Sequence, residues 1–220
     1  GNIINHCNVP GTVALTFDDG PSPHTSHVLD ILDRHGAKAT FFVNGDNFSR
    51  GHIDDHSTPW PETLQRMHQS GHQIGSHTWS HVDLTAVSSW TRQQEISDLE
   101  QAFVNLFGWY PVYVRPPYGS CEHECQGDLA WMGYHVVTWD IDTKDYANDS
   151  PEAIYIAKET FSNALSMDPS SNSYIALSHD VHVQTAYTLT EYMLDTLGSR
   201  GYRAVTVGEC LGDPAENWYR

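Results

Sequence analysis

Apolar residues come in two rhythms along this chain. Short continuous runs alternate with longer stretches in which apolar positions recur three and four residues apart. Continuous runs read as strands buried on both faces, and the wider spacing reads as helices that bury one face. The runs predict strands over 13–17, 39–43, 73–76, 112–115, 135–139, 174–177 and 204–207. Helices are predicted over 24–35, where Val28, Ile31 and Leu32 share a face, and over 61–69, where Pro61 suits a first-turn position. A third is predicted over 88–107, with Ile96, Leu99, Phe103 and Leu106 at helical spacing, and two more over 151–165 and 185–197. This alternation predicts an α/β fold with a mostly parallel sheet. The strand count suits a closed or partly closed barrel better than an open sheet.

In such folds function gathers at the carboxyl ends of the strands. The titratable residues fall there. Asp18 and Asp19 follow the first run, His77 the third, Arg115 ends the fourth, Asp140 and Asp142 follow the fifth, and His179 the sixth. That shared placement carries more weight than any single motif.

Three segments stand out: Thr16-Phe17-Asp18-Asp19-Gly20-Pro21-Ser22, His77-Thr78-Trp79-Ser80-His81 and Leu177-Ser178-His179-Asp180. One Asp and two His form a tripod suited to zinc, with a coordination position left open for chemistry. The spare carboxylate and the third His are then free to move protons. Successive side chains diverge in an extended segment, so a bent strand end lets one Asp bind metal while its neighbour faces substrate. The bland alternative is a turn whose Asp accepts backbone hydrogen bonds. The i, i+4 spacing is weak evidence here, because His52/His56 and His68/His72 share it among 14 histidines. His77/His81 alone begins at the end of an apolar run.

Arg115-Pro116-Pro117-Tyr118 reads either as a stiff connector or as a support. In the second reading Arg115 grips Asp18 by paired hydrogen bonds, and the Tyr118 backbone N–H serves as an oxyanion donor. The segment from Asp140 to Tyr146 reads as a solvated loop or as the source of a carboxylate that tunes a catalytic His. His179 is favoured as a general acid. Trp79, Trp139 and Tyr146 are aromatic faces on which sugars can stack, although most of the seven Trp are expected in packing.

Eleven basic and 28 acidic side chains give a formal charge of −17. That argues against nucleic acid and anionic membranes. No apolar stretch approaches the roughly 20 residues of a membrane-spanning helix. Gly1 opens the chain with no signal-like segment, so any leader is expected to have been removed or never to have been attached. Four cysteines allow three pairings. Cys7–Cys210 and Cys121–Cys125 are expected; buried thiols or a four-Cys zinc site are the alternatives, the latter disfavoured by the absence of a C-x2-C pair. Paired cysteines imply an oxidising compartment. Asn47-Phe48-Ser49 and Asn148-Asp149-Ser150 are candidate glycosylation sequons.

Taken in order, these segments resemble the polysaccharide deacetylases of carbohydrate esterase family 4, and within it the fungal chitin deacetylases. The likeness runs from Thr12 to Val207 and on through Gly208-Glu209-Cys210-Leu211-Gly212-Asp213-Pro214 and Asn217-Trp218-Tyr219-Arg220. It implies a single domain over 1–220 with its core over about 12–207, folded as a distorted (β/α) barrel of mostly parallel strands with an open groove. It implies Asp18 as base, Asp19, His77 and His81 as metal ligands, Arg115 as the support of Asp18, and Asp145 as the residue that tunes His179. Tyr118 and Leu177, with Trp139 and Tyr146, would contact substrate, and Leu177 with an aromatic residue would wall the acetyl pocket. The family's fourth motif often ends in Asp-Trp, whereas this chain has Asp145-Tyr146. The implied activity is metal-dependent removal of N-acetyl groups from chitin or its oligomers, with zinc as the metal and cobalt or nickel as substitutes. The implied setting is a secreted monomer, extracellular or in the cell wall. Acetylxylan esterase, peptidoglycan deacetylase, a silent chitin-binding module and, less simply, a metal-dependent phosphoesterase are the rival readings.

Overall fold

Strand β1 (Thr12–Asp18) is buried at all seven positions, as its unbroken TVALTFD run requires. Side chains alternate across a strand, and the two sides of β1 meet different partners. Val13, Leu15 and Phe17 join the large cluster formed with the helices. Ala14 joins a second cluster with Phe42, Val112, Val137 and Ile175. By the same alternation Thr16 and Asp18 lie on the Ala14 side, inside the curl of the sheet. β7 (Tyr174–His179) behaves alike: Ala176 packs against the helices, while Ile175 joins the inner cluster. Leu177 and His179 therefore share the inner side with Asp18. Asp18 pairs in register with His179 on β7 and with Phe42 on β2 (Thr40–Val43).

The computed structural model describes residues 3–46, 48 and 50–220. The other strands are β3 (Gln73–Ser76), β4 (Tyr113–Val114), β5 (His135–Val136), β6 (Ile141–Asp142) and β8 (Arg203–Val205). The sheet runs β5-β4-β3-β2-β1-β7-β6 and all of its ladders are parallel. β8 pairs with the first half of β1, over Thr12–Ala14, and β2 with the second half, over Thr16–Asp18. Since β7 occupies one edge of β1 throughout, β8 and β2 must share the other. The result is the distorted, mostly parallel barrel expected from the sequence, with β5 and β6 at its two ends.

The helices are α1 (Thr25–His35), α2 (Trp60–Gln69), α3 (Ser89–Phe107), α4 (His123–Trp131), α5 (Ile154–Ala164), α6 (Thr190–Arg200) and α7 (Val207–Leu211). Ser88 caps α3 by accepting the Thr91 N–H at 3.2 Å. Three elements escape the sequence pattern. β6 is two residues long and shows no period. α4 lies in a Gly- and charge-rich stretch, held by Arg92 Nε donating to Asp128 at 2.8 Å and by a disulfide at its start. Thr206 caps α7, so the last strand stops at Val205 rather than running to 207. The helix predicted over 185–197 opens with a π-helical turn, Thr185–Leu189, before α6.

Both expected disulfides form, Cys7–Cys210 and Cys121–Cys125. The first ties the two ends of the chain within the inner cluster, where Trp218 also packs. Among the described residues no helix is long and apolar enough to cross a membrane. Asn47 lies outside the described residues. Asn148 follows a short turn and donates its side-chain amide to the Lys144 carbonyl at 2.7 Å.

Candidate metal-dependent active site

The carboxyl ends of β1, β3, β4 and β7 converge on one cavity of about 390 Å³. Asp18, Asp19, His77, His81, Tyr118, Trp139, Asp142, Tyr146, Leu177 and His179 line it. Backbone strain concentrates here. Six described non-glycine residues have left-handed backbone, and three of them, Asp19 (φ 73°), His81 (φ 60°) and Tyr118 (φ 61°), line this cavity. Thr78 and Lys144 are two more, flanking His77 and Asp145. Such conformations persist only where surrounding structure over-determines them.

Asp19 Oδ1 lies 3.3 Å from His77 Nε2 and 3.2 Å from His81 Nε2. It is buried, yet neither approach has hydrogen-bond geometry and the oxygen has no partner. Burial alone would raise the Asp19 carboxyl. With no cation between them, the two imidazoles in their protonated form more than reverse this and hold it well below the usual carboxylate range. His77 Nδ1 meets the Arg115 carbonyl at 2.7 Å. A carbonyl only accepts, so Nδ1 carries a proton, and in the neutral ring Nε2 presents its lone pair toward Asp19. The three donor atoms lie within 4.8 Å of one another. Ligands about 2.0–2.1 Å from a tetrahedral zinc stand roughly 3.3 Å apart, so an Asp/His/His tripod for a divalent cation fits the spacing. A turn rather than a helix face brings His77 and His81 together. Asn44 Nδ2 donates to the His77 carbonyl at 2.5 Å, and Ser80 is held by Glu95 through its N–H (2.7 Å) and its hydroxyl (2.6 Å).

Beside the tripod, Asp18 keeps one oxygen occupied and one open toward it. Oδ1 accepts from Arg115 Nη1 at 2.8 Å, and Oδ2 stands 3.9 Å from His77 Nε2. Arg115 is fully buried. Its grip is a single bond, not the expected pair, because the fork is divided. Nη1 also reaches Thr16 at 2.5 Å, while Nη2 donates to the Thr138 carbonyl at 2.8 Å. Phe42 lies under the guanidinium, 4.3 Å to the ring centre.

Across the cavity His179 Nδ1–H donates to Asp145 Oδ1 at 2.8 Å. Asp145 is fully buried and takes three further bonds: from the His179 N–H (2.7 Å), the Thr185 hydroxyl (2.7 Å) and the Tyr146 N–H (2.9 Å). Burial would lower the His179 imidazole. The Asp145 partner, aided by Asp18 and Asp19, instead raises it to about 9. Burial would raise Asp145, and the same imidazole holds it low.

A model of polysaccharide deacetylases matches residues 5–137. The chain is 50% identical over its whole length to a chitin deacetylase of Colletotrichum lindemuthianum, covering 87% of that protein. It superposes on a solved structure of the chitin deacetylase from that fungus with a TM-score of 0.96, covering 100% of this chain and 95% of the other. The chain belongs to the polysaccharide deacetylase family. A chitin deacetylase of Pestalotiopsis is 43% identical, over all of this chain and 70% of that protein. The peptidoglycan deacetylase PdaC of Bacillus subtilis matches more loosely, with a TM-score of 0.76, 31% identity and coverage of 91% and 90%.

Tyr146, set against the Asp-Trp ending quoted above, also enters this cavity. Its ring stands edge-on to His179 at 5.6 Å, and its hydroxyl donates to Asp142 Oδ2 at 3.0 Å. Trp139 and Leu177 also line the cavity, as expected. Trp79 does not. It lies over Gly45, packs against the core and meets His52 edge-on at 4.8 Å. Asp140 is likewise spent elsewhere, on His6 (2.5 Å) and the Ile175 N–H (2.7 Å). Sequence reasoning passed over Asn44, Thr185 and the side chain of Asp180. All three act through backbone or buried contacts that leave no trace in spacing.

Proposed function

We propose that this protein is a zinc-dependent deacetylase that hydrolyses the N-acetyl amides of N-acetylglucosamine units in chitin or chitooligosaccharides. One observation carries the reading: a buried Asp19 oxygen without a donor, set between two imidazole nitrogens, beside a second carboxylate with an open oxygen. Asp19, His77 and His81 would hold the cation. When bound, such a cation polarises a carbonyl oxygen and makes nearby water more acidic; cobalt or nickel suits the same donors.

The residues divide the remaining work. Asp18, fixed by Arg115, takes a proton from the attacking water through its open oxygen. The Tyr118 N–H donates to the charge that develops on the acetyl oxygen. His179, held protonated by Asp145, gives its proton to the departing nitrogen, because an amide anion is a very poor leaving group. Water adds, the C–N bond breaks, and acetate and a glucosamine unit result. Leu177, Trp139 and Tyr146 wall the pocket around the acetyl group and the sugar. The two disulfides support a setting outside the cell or in its wall, where the protein would act as a monomer on polysaccharide.

The test is acetate release from an N-acetylglucosamine tetramer, with acetylated xylan in parallel. Release from the tetramer is expected. Faster release from xylan would point to the esterase reading. Chitin affinity without acetate release, even with added zinc or cobalt, would point to a silent binding module.

A further inference from the structure

Asp180 is fully buried beside His179, and its Oδ1 has no hydrogen-bond partner. Nothing in the chemistry above uses it. An unsatisfied buried carboxylate oxygen is costly, so its surroundings bear on its purpose. Oδ2 accepts a short bond from the Thr25 hydroxyl. Thr25 Oγ1 in turn accepts the Ser22 N–H at 2.8 Å, and Ser22 Oγ donates to the Asp180 carbonyl at 2.9 Å. Ser22 and Thr25 are both buried. This cluster bolts the turn after β1 to the end of β7.

Gly20 sits directly on the carboxylate. A Cβ there would lie 2.7 Å from both Asp180 oxygens. The Gly20 carbonyl is also held, by the Asn44 N–H at 3.1 Å. The residue immediately before it, Asp19, has φ 73°. For a residue with a side chain that backbone costs roughly 1–3 kcal/mol unless its neighbours enforce it, and the neighbours on this side are the Asp180 cluster and Asn44.

We infer that Asp180 is a positioning residue for the cation site: its carboxylate, seated under Gly20, holds Asp19 in the left-handed backbone that points Oδ1 between His77 and His81. The inference rests on the metal reading above, so the test separates the two.

Zinc affinity of the full chain is measured by competition with a chromogenic chelator, and the melting temperature of the metal-free protein alongside it. Wild type binding zinc and Asp19→Ala losing it establishes the site; failure of wild type to bind would remove both the metal reading and this one. With the site established, Asp180→Ala is expected to weaken zinc binding about 10- to 100-fold, as partners behind metal ligands do. Asp180→Asn keeps an oxygen toward Thr25 and the same bulk under Gly20, and should recover most of the loss. Gly20→Ala reaches the same contact from above and should weaken binding about tenfold. The double variant Gly20→Ala/Asp180→Ala should bind no worse than Asp180→Ala alone, because residues in contact are not additive. Asp180→Ala with a lower melting temperature but wild-type zinc affinity overturns the inference. If Asp180→Ala does not fold, Gly20→Ala with wild-type affinity overturns it instead.

Discussion

Two carboxylates, a fully buried Asp145 and a half-buried Asp19, face imidazoles in this cavity, and they are finished differently. Asp145 accepts four hydrogen bonds, two from His179 and one each from Thr185 and Tyr146. Asp19 Oδ1 accepts none, although two imidazole nitrogens stand within 3.3 Å. Both carboxyls are held below their usual range. A carboxylate with every donor in place is complete as protein, and its effect is to keep a proton on its partner. A carboxylate oxygen that is buried without donors, beside an imidazole nitrogen turned lone pair first, is suited to a cation. On the proposed function, the same residue types thus make a proton holder on one wall and a metal cradle on the other. Donor count is what separates them.

The largest expected effect comes from emptying the cradle. A strong chelator should abolish acetate release by at least about 100-fold, since a Lewis acid contributes several kcal/mol to such steps, and zinc or cobalt should restore it. The His179–Asp145 hydrogen bond should survive, while the His179 pKa should fall on metal binding because a cation offsets the Asp19 charge that helps raise it; the His179 ring resonances in an NMR titration would show both. Full activity in metal-free protein would break the comparison. Next comes Asp18→Asn. It keeps the Arg115 bond to the remaining oxygen and removes the proposed base, so turnover should fall about 100- to 10,000-fold. Equilibrium dialysis should find the metal still bound. A fully active Asp18→Asn would end the assignment of base.

Asp145→Asn tests the other wall. His179 must be protonated to act as an acid, and it titrates near 9 because Asp145 outweighs the burial that would lower it. The rate should therefore hold through neutral pH and fall as pH rises through about 9. Without the Asp145 charge, burial acts with less opposition, and the alkaline limb should move down toward or below the ordinary value of 6.5. The sign for stability follows group by group. His179 is raised, so its contribution is full below about 6.5 and is lost as pH climbs through about 9; Asp145 is held low, so its contribution is present above the usual carboxylate range and is lost as pH falls below it. An unmoved limb would mean that His179 is not the acid.

Much of this was legible without coordinates, for a physical reason. Motifs at strand ends inherit their positions from the barrel, so once 13–17, 73–76 and 174–177 read as strands, Asp18, His77 and His179 had to gather at one end. The tripod followed from residue types. What the pattern left out depends on short or local geometry. β6 has two residues and no periodicity. Exposure does not follow from composition, so nothing in the sequence separates Trp79, whose ring fills the space over Gly45, from aromatic residues that face the cavity. The divided Arg115 fork depends on a Thr138 carbonyl that no spacing rule places.

The smallest effect sharpens the comparison most. Thr185→Val deletes one of four donors to Asp145 and leaves a methyl group of similar size. Oδ2 still accepts the His179 N–H, and Oδ1 keeps the His179 ring and the Tyr146 N–H. The Thr190 bond to the Thr185 carbonyl uses backbone and survives. Losing a hydrogen bond to a charged group costs about 1.5–3 kcal/mol, so the melting temperature should drop roughly 3–10 °C for a domain of this size. Turnover should change far less than in Asp145→Asn, and the alkaline limb should shift by less than about one pH unit, because the carboxylate stays charged and in place. Thr185→Ser should restore the stability. If Thr185→Val moves the limb as far as Asp145→Asn does, the orientation of His179 hangs on one hydroxyl, and counting donors no longer distinguishes a finished carboxylate from one that awaits a cation.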